Sequence, residues 1–225
     1  MKNLVHDRKE VDPAIIEKFV ALKNIMSISC VVGDSMERDG IMHSCMKMRS
    51  VNKPFIGPAF TVKLSSGFLA DCLAIFKYAK PGDVIVIDAF GETETSIWGG
   101  LMSGLARNAG IPGAVVYGSV RDTDEARMLD FPIVSASVSP REAHSALTQL
   151  WEPIELNCPV SCGGIIVNPG DIVVADEIGV SVVPYDQAEA VYARAVKQAD
   201  AEEASRQDIL RGATVQELLA KYGRI

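Results

Sequence analysis

The chain has 225 residues, 48% of them hydrophobic and 23% charged, which suffices for one large domain or two small ones; one is expected. A formal net charge of −7, a pI near 5.0 and no Lys/Arg cluster argue against a surface that tracks nucleic-acid phosphates. The start, MKNLVHDRKEVD, lacks the apolar stretch of a secretory signal, and no window approaches the roughly 18 apolar residues of a membrane span. The expectation is a cytoplasmic protein with no nucleic-acid or membrane partner.

Asp12 is placed to cap a first helix, Pro13 suits its first position, and Ile15, Phe19, Leu22 and Met26 recur at helical spacing. A turn-rich stretch from Val32 to Pro58 leads into AFTVKL, which reads as a strand. Leu69, Cys72, Leu73 and Phe76 mark a second amphipathic helix, closed by Lys80-Pro81-Gly82. PGDVIVID, Pro81 to Asp88, then carries a turn into a β-branched run, and PGDIVVAD, Pro169 to Asp176, nearly repeats it.

Ser96 to Asn108, SIWGGLMSGLARN, places Ile97, Leu101 and Leu105 in helical register, with Gly110 where a C-terminal glycine cap belongs. GAVVY follows as a strand and delivers YGSVRD; TDEARML reads as a short helix and PIVSASV as another strand. This alternation predicts an α/β fold with a largely buried sheet. From about Asp186 to Gln207 a long Ala-rich, charged helix is expected, then a short one over TVQELLAKYG, where Thr214 and Glu217 have capping-box spacing. The long helix is polar enough to be expected to pack poorly on its own subunit and to reach a neighbouring one. The five cysteines, Cys30, Cys45, Cys72, Cys158 and Cys162, read as buried thiols, and His6, His43 and His144 are isolated. Neither a zinc site nor a Ser-His-Asp triad is indicated.

A helix beginning near Trp98-Gly99-Gly100 exposes backbone amides that lack intrahelical partners, at the positive end of its dipole. One reading seats a small carboxylate on the amides of Leu101 and Met102; the other has the glycines serve close packing against a sheet. Arg121 and Asp122 stand at the C-terminal end of the GAVVY strand, on the sheet edge where α/β folds bind ligands. There the arginine can hold a carboxylate or neutralise an enolate oxygen, and the aspartate can bind a hard divalent cation. The competing reading is a solvated arginine and a helix N-cap, with Glu125 three residues beyond Asp122. Local pattern leaves both open.

GGLMSGLARNAGIPGAVVYGSVRD, with FPIVS and PGDIVVADEIGVSVVP behind it, resembles the class II pyruvate aldolases typified by 4-hydroxy-4-methyl-2-oxoglutarate aldolase. Relatives of that family include the RraA-type regulators of ribonuclease E. The likeness runs from about Ser29 to Gly212. It implies one RraA-like domain over residues 1–225, of the swivelling β/β/α type, with its core at about 29–185. The C-terminal helices, 186–225, would then lie at a subunit interface of a homotrimer or homohexamer.

The resemblance further implies Mg²⁺ or Mn²⁺ on Asp122, a small 2-oxo acid substrate, and Arg121 as the catalytic residue that supports an enolate. Gly99, Gly100, Leu101 and Met102, together with Arg121, would bind the substrate carboxylate. The implied activity is aldol cleavage or decarboxylation yielding pyruvate enolate, and the alternative is a non-catalytic ribonuclease regulator. One position departs from the family pattern: the aldolases carry an acid, twenty intervening residues and then Arg-Asp, and here Gly100 occupies the acid's place. Glu92 and Glu94 in the FGETETS loop are candidates to replace it. For the carboxylate that a neighbouring subunit supplies, Glu202 and Glu203, just beyond Ala199 and Asp200, are candidates; a solvated helix face is the other reading.

Overall fold

The computed structural model describes residues 3–64, 72–143 and 153–223. Strand β1 (Leu4–Val5) precedes helices α1 (Pro13–Ala21) and α2 (Ile28–Asp34), the short β2 (Lys47–Met48) and the long β3 (Phe55–Leu64). The centre of the chain supplies β4 (Val84–Trp98), α3 (Gly100–Asn108), β5 (Ala114–Val120), α4 (Thr123–Met128) and β6 (Ile133–Val138). Short strands β7 (Ile154–Leu156), β8 (Val160–Cys162), β9 (Ile165–Val167), β10 (Ile172–Ala175) and β11 (Val180–Val183) follow. Helices α5 (Ala188–Leu210) and α6 (Val215–Tyr222) end the chain.

The main sheet runs β1-β7-β3-β4-β5-β6-β2, and its centre, β3-β4-β5-β6, is parallel. Parallel strands with both faces covered need apolar residues on both sides. Val84 and Val86 accordingly enter one hydrophobic cluster and Ile85 and Ile87 another, so β4 is buried on each face. Strand β3 joins three partners: Phe55–Pro58 pair antiparallel with β10, Ala59–Lys63 parallel with β4, and Val62–Leu64 antiparallel with β7. The fold is mixed α/β with helices at both termini.

The first helix is capped as expected, with the Ala14 amide donating to Asp12 Oδ1 at 2.9 Å and Pro13 at its start. It ends at Ala21, however, so Met26 falls beyond the buried face and is 66% exposed. Among the described residues Cys72–Lys77 form a 3₁₀ helix instead of an amphipathic α-helix; Leu69 and His144 lie outside the described residues. Cys72, Cys158 and Cys162 are buried, whereas Cys30 and Cys45 are exposed. The long helix packs on its own subunit, contrary to the expectation of poor packing there. Val191, Ala195 and Ala199 recur every four residues and pack, beneath α1 and α2, into a third cluster with Phe19, Ile28 and Val32. Small alanines let a polar helix approach closely, which composition alone disguises.

The two Pro-Gly-Asp copies adopt one local structure. Gly82 and Gly170 have φ of +88° and +90°, a region glycine enters without steric cost. The following Asp83 and Asp171 are buried, and each carboxylate accepts the amide three residues back, Lys80 and Asn168, at 2.8 Å. The same turn feeds a parallel strand in one copy and an antiparallel strand in the other.

Candidate active site

Helix α3 begins at Gly100, because Ser96–Trp98 belong to β4. Ile97 is therefore a strand residue. The buried face of α3 is Gly100, Ser103 and Ala106, and Leu101, which shares a helical register with Leu105, is 81% exposed. Trp98 fixes the junction. Its ring is buried, stacked on Phe131 at 6.1 Å and edge-on to Phe76, and its Nε1 donates to Ser103 Oγ at 2.9 Å. Ser103 Oγ in turn donates to the Gly99 carbonyl at 3.0 Å, tying the end of β4 to the first turn of α3.

Strand β5 ends alongside. Trp98 pairs with Val120, and the Arg121 amide donates to the Trp98 carbonyl at 2.9 Å, so Gly99–Met102 and Arg121–Asp122 meet at the C-terminal edge of the parallel sheet. They border a cavity of about 210 Å³ whose walls include Leu73, Ile97, Met102 and Glu142. That volume is small beside the several hundred Å³ of drug-sized sites and suits a compact molecule. A larger cavity of about 1000 Å³ lies at the opposite end of β4, between the N-terminal segment and Lys80–Asp83. It collects none of the candidate substrate-, metal- or proton-handling residues named from the sequence.

Asp122 does not cap α4. It adopts the left-handed conformation, φ 52°, its side chain makes no capping bond, and Oδ2 instead accepts the Gly100 amide at 3.2 Å. The amides of Leu101 and Met102 have no backbone partner among the described residues. Arg121 is shared between two carboxylates, Nε to Asp122 Oδ2 at 3.4 Å and Nη2 to Glu142 Oε1 at 3.5 Å. Partly exposed pairs at such distances contribute about 0–1 kcal/mol, so the guanidinium gives up little on turning to another anion.

The remaining acids sort clearly. Glu92 Oε1 accepts the amides of Glu94 and Thr95, and neither Glu92 nor Glu94 lines the cavity. Glu125 does occupy the region of Gly100: a Cβ built on Gly100 would overlap the Glu125 carboxyl group. Glu202 accepts Gln198 Nε2 and Arg206 Nη2, both at 2.8 Å, and Glu203 accepts Arg206 and Gln207, so both are engaged along α5 and neither lines this cavity. Sequence reading weighed Glu125 only as a capping partner of Asp122 and missed Glu142. For Glu125 the signal was the doubled glycine, which implies that something bulky approaches. Glu142 gave none, since a β-bridge from Ser96 to Glu142 places it.

The RraA-like family, described as Aldolase/RraA, matches residues 29–182. The chain belongs to that family. Its matched region opens at Ser29, whose amide and hydroxyl both donate to the buried Asp176, at 2.9 and 2.7 Å. A Halalkalibacterium halodurans protein provisionally named 4-hydroxy-4-methyl-2-oxoglutarate aldolase is 38% identical over 192 residues, 84% of this chain and 87% of that one. The solved structure of Streptomyces coelicolor RraAS2, described as an unusual member of the RNase ES inhibitor RraA family, superposes with a TM-score of 0.73 at 27% identity. It covers 89% of this chain and 98% of its own. An uncharacterized Pseudomonas syringae protein shares the fold, with a TM-score of 0.77 at 22% identity over 93% and 98% of the two chains. This family member thus has relatives named for an aldolase and for a ribonuclease inhibitor, and no helix among its described residues is long and apolar enough to cross a membrane.

Proposed function

We propose that the protein is a divalent-metal-dependent carbon–carbon lyase that cleaves or decarboxylates a small 2-oxo acid to give pyruvate. The observation that carries this reading is the meeting of Arg121 and Asp122 around one small cavity with two amides that lack a partner among the described residues. The aldolase name of the 38% identical relative supports it.

The donor set fits Mg²⁺ or Mn²⁺. Among the described residues Asp122 Oδ1 makes no hydrogen bond, and no three His, Cys, Asp or Glu side chains converge into a cage. Such an ion commonly rests on one or two carboxylates and completes its shell with water and substrate oxygens. Bound there, it supplies a Lewis acid toward the substrate carbonyl.

The chain's own groups do the rest. The amides of Leu101 and Met102, at the positive end of α3, seat the substrate carboxylate, while Gly99 and Gly100 keep side chains out of its way. Breaking the C3–C4 bond leaves its electron pair on C3, delocalised as an enolate onto the 2-oxo oxygen. Arg121 places a fixed positive charge where that negative charge develops. The arrangement serves aldol cleavage and oxaloacetate decarboxylation alike, because only the departing fragment differs.

With Mn²⁺ present, wild type should release pyruvate from oxaloacetate and from a 4-hydroxy-2-oxo acid. Arg121→Ala should lower kcat by about 10²–10³-fold, the usual loss for one preorganised charge or donor. Asp122→Ala should abolish the metal response. A wild type that released no pyruvate from either substrate would sink the proposal. The second reading, a ribonuclease-binding regulator acting through its surface, is favoured by the Streptomyces neighbour's description. It predicts ribonuclease binding that survives Arg121→Ala.

A further inference from the structure

Among the acids at this edge of the sheet, Glu125 stands apart. Its side chain forms no hydrogen bond or ion pair among the described residues, although Asp122, Glu142 and Glu92 all have partners. Its carboxyl nevertheless lies against the Cα of Gly100, a residue that borders the cavity, in the direction a side chain at position 100 would take. Helices α3 and α4 pack side by side, so the first turn of α4 aims this group at the first turn of α3. Glu125 is itself exposed and is not one of the residues lining the cavity; its unpartnered carboxylate keeps its acceptor capacity beside Gly100, at the cavity's edge.

We infer that Glu125 is the proton carrier of aldol cleavage. This rests on the lyase reading and deepens it. The proton of the substrate's 4-hydroxyl passes to the Glu125 carboxylate as the C3–C4 bond breaks. The hydroxyl carbon becomes a carbonyl, and the bond's electron pair moves into the enolate. C3 then takes the proton back from Glu125, which returns to its starting form as pyruvate leaves. No electrons are gained or lost overall, and no further reactant is needed. Decarboxylation differs in one respect: oxaloacetate has no hydroxyl proton to remove before its C–C bond opens.

That difference supplies the test. Glu125→Gln keeps the size of the side chain and loses the base. It should lower kcat/KM for 4-hydroxy-4-methyl-2-oxoglutarate about 100-fold, within the usual range for a lost general base, while the loss on oxaloacetate is at least about tenfold smaller. Mn²⁺ affinity, followed by electron paramagnetic resonance titration, should stay within about threefold of wild type, whereas Asp122→Asn weakens it by more. Equal losses on both substrates, no loss on the hydroxy acid, or Mn²⁺ weakening to match Asp122→Asn would each overturn the assignment while leaving the lyase reading intact. A wild type inactive on both substrates would remove the lyase reading and this assignment together.

Discussion

Gly99 and Gly100 leave a gap that acidic side chains from the next strand and helix enter. A Cβ on Gly99 would stand 2.8 Å from Asp122 Oδ2, and one on Gly100 would overlap Glu125. Gly100 is not needed for its backbone, since its φ is not positive. Alanine there should gain up to about 1 kcal/mol of helix propensity, and the exposed Glu125 side chain is free to swing aside. Gly100→Ala is therefore expected to leave the unfolding temperature unchanged or raise it by less than about 4 °C. Cleavage of a 4-hydroxy-2-oxo acid should fall in the same variant, because the carboxylate is displaced from its place against Gly100 at the cavity's edge. A large drop in unfolding temperature would show that the glycine serves packing instead.

At the scale of elements, the β-α alternation was legible in the sequence, and the C-terminal capping box appears as expected, with Thr214 Oγ1 accepting the Glu217 amide. The start of α3 was not. Ile97, Leu101 and Leu105 satisfy a helical period, yet Ile97 is a strand residue, and α3 turns glycine, serine and alanine toward its neighbours. Small residues at a tight helix contact carry almost no hydrophobic signal. Asp122 offered a cap by spacing, but its left-handed backbone turns the carboxylate to α3. Arg121 and Asp122 could be singled out because one strand presents both; the approach of Glu125 to Gly100 depends on how two separate units pack.

Asp88 in β4 provides a pH prediction at this scale. It is buried, accepts the amides of Phe90 at 2.9 Å and Ser161 at 3.3 Å, and thereby couples β4 to β8. Burial pushes its pKa above the usual carboxylate value, and the two amides offset only part of that rise. Because the folded value lies above the unfolded one, the contribution of Asp88 to stability is fully present below the ordinary carboxylate range and lost as pH rises through the raised value. Asp88→Asn does not titrate. The unfolding temperature of the variant minus that of wild type should therefore increase across this window, and a flat difference would contradict the assignment.

For the whole molecule, the family match covers residues 29–182, while α1 and α5 complete a third hydrophobic cluster outside or at the borders of that span. Leu101, Leu105 and Met128 are exposed apolar side chains on the adjacent helices α3 and α4; Met128 is 88% exposed, and Leu101 also lines the cavity. If the protein assembles as the homotrimer or homohexamer expected from the family resemblance, this face is where a second copy would cover the site. Leu105→Glu with Met128→Glu should then shift sedimentation toward the monomer and lower turnover, with the fold retained by circular dichroism. Wild type sedimenting as a monomer would remove that expectation.

The triple pairing of β3 also sets a schedule for the nascent chain. Pro58 meets Ile172 and Leu64 meets Ile154, so neither end of this strand finds its full set of partners until most of the polypeptide has been made. Pairings so distant in sequence require large loops to close before any contact rewards them, and such topologies fold slowly. While synthesis continues, the apolar run FIGPAFTVKL has one edge open to other chains. Production of this protein should therefore be limited more by the interval before β10 and β7 arrive than by the strength of the finished sheet.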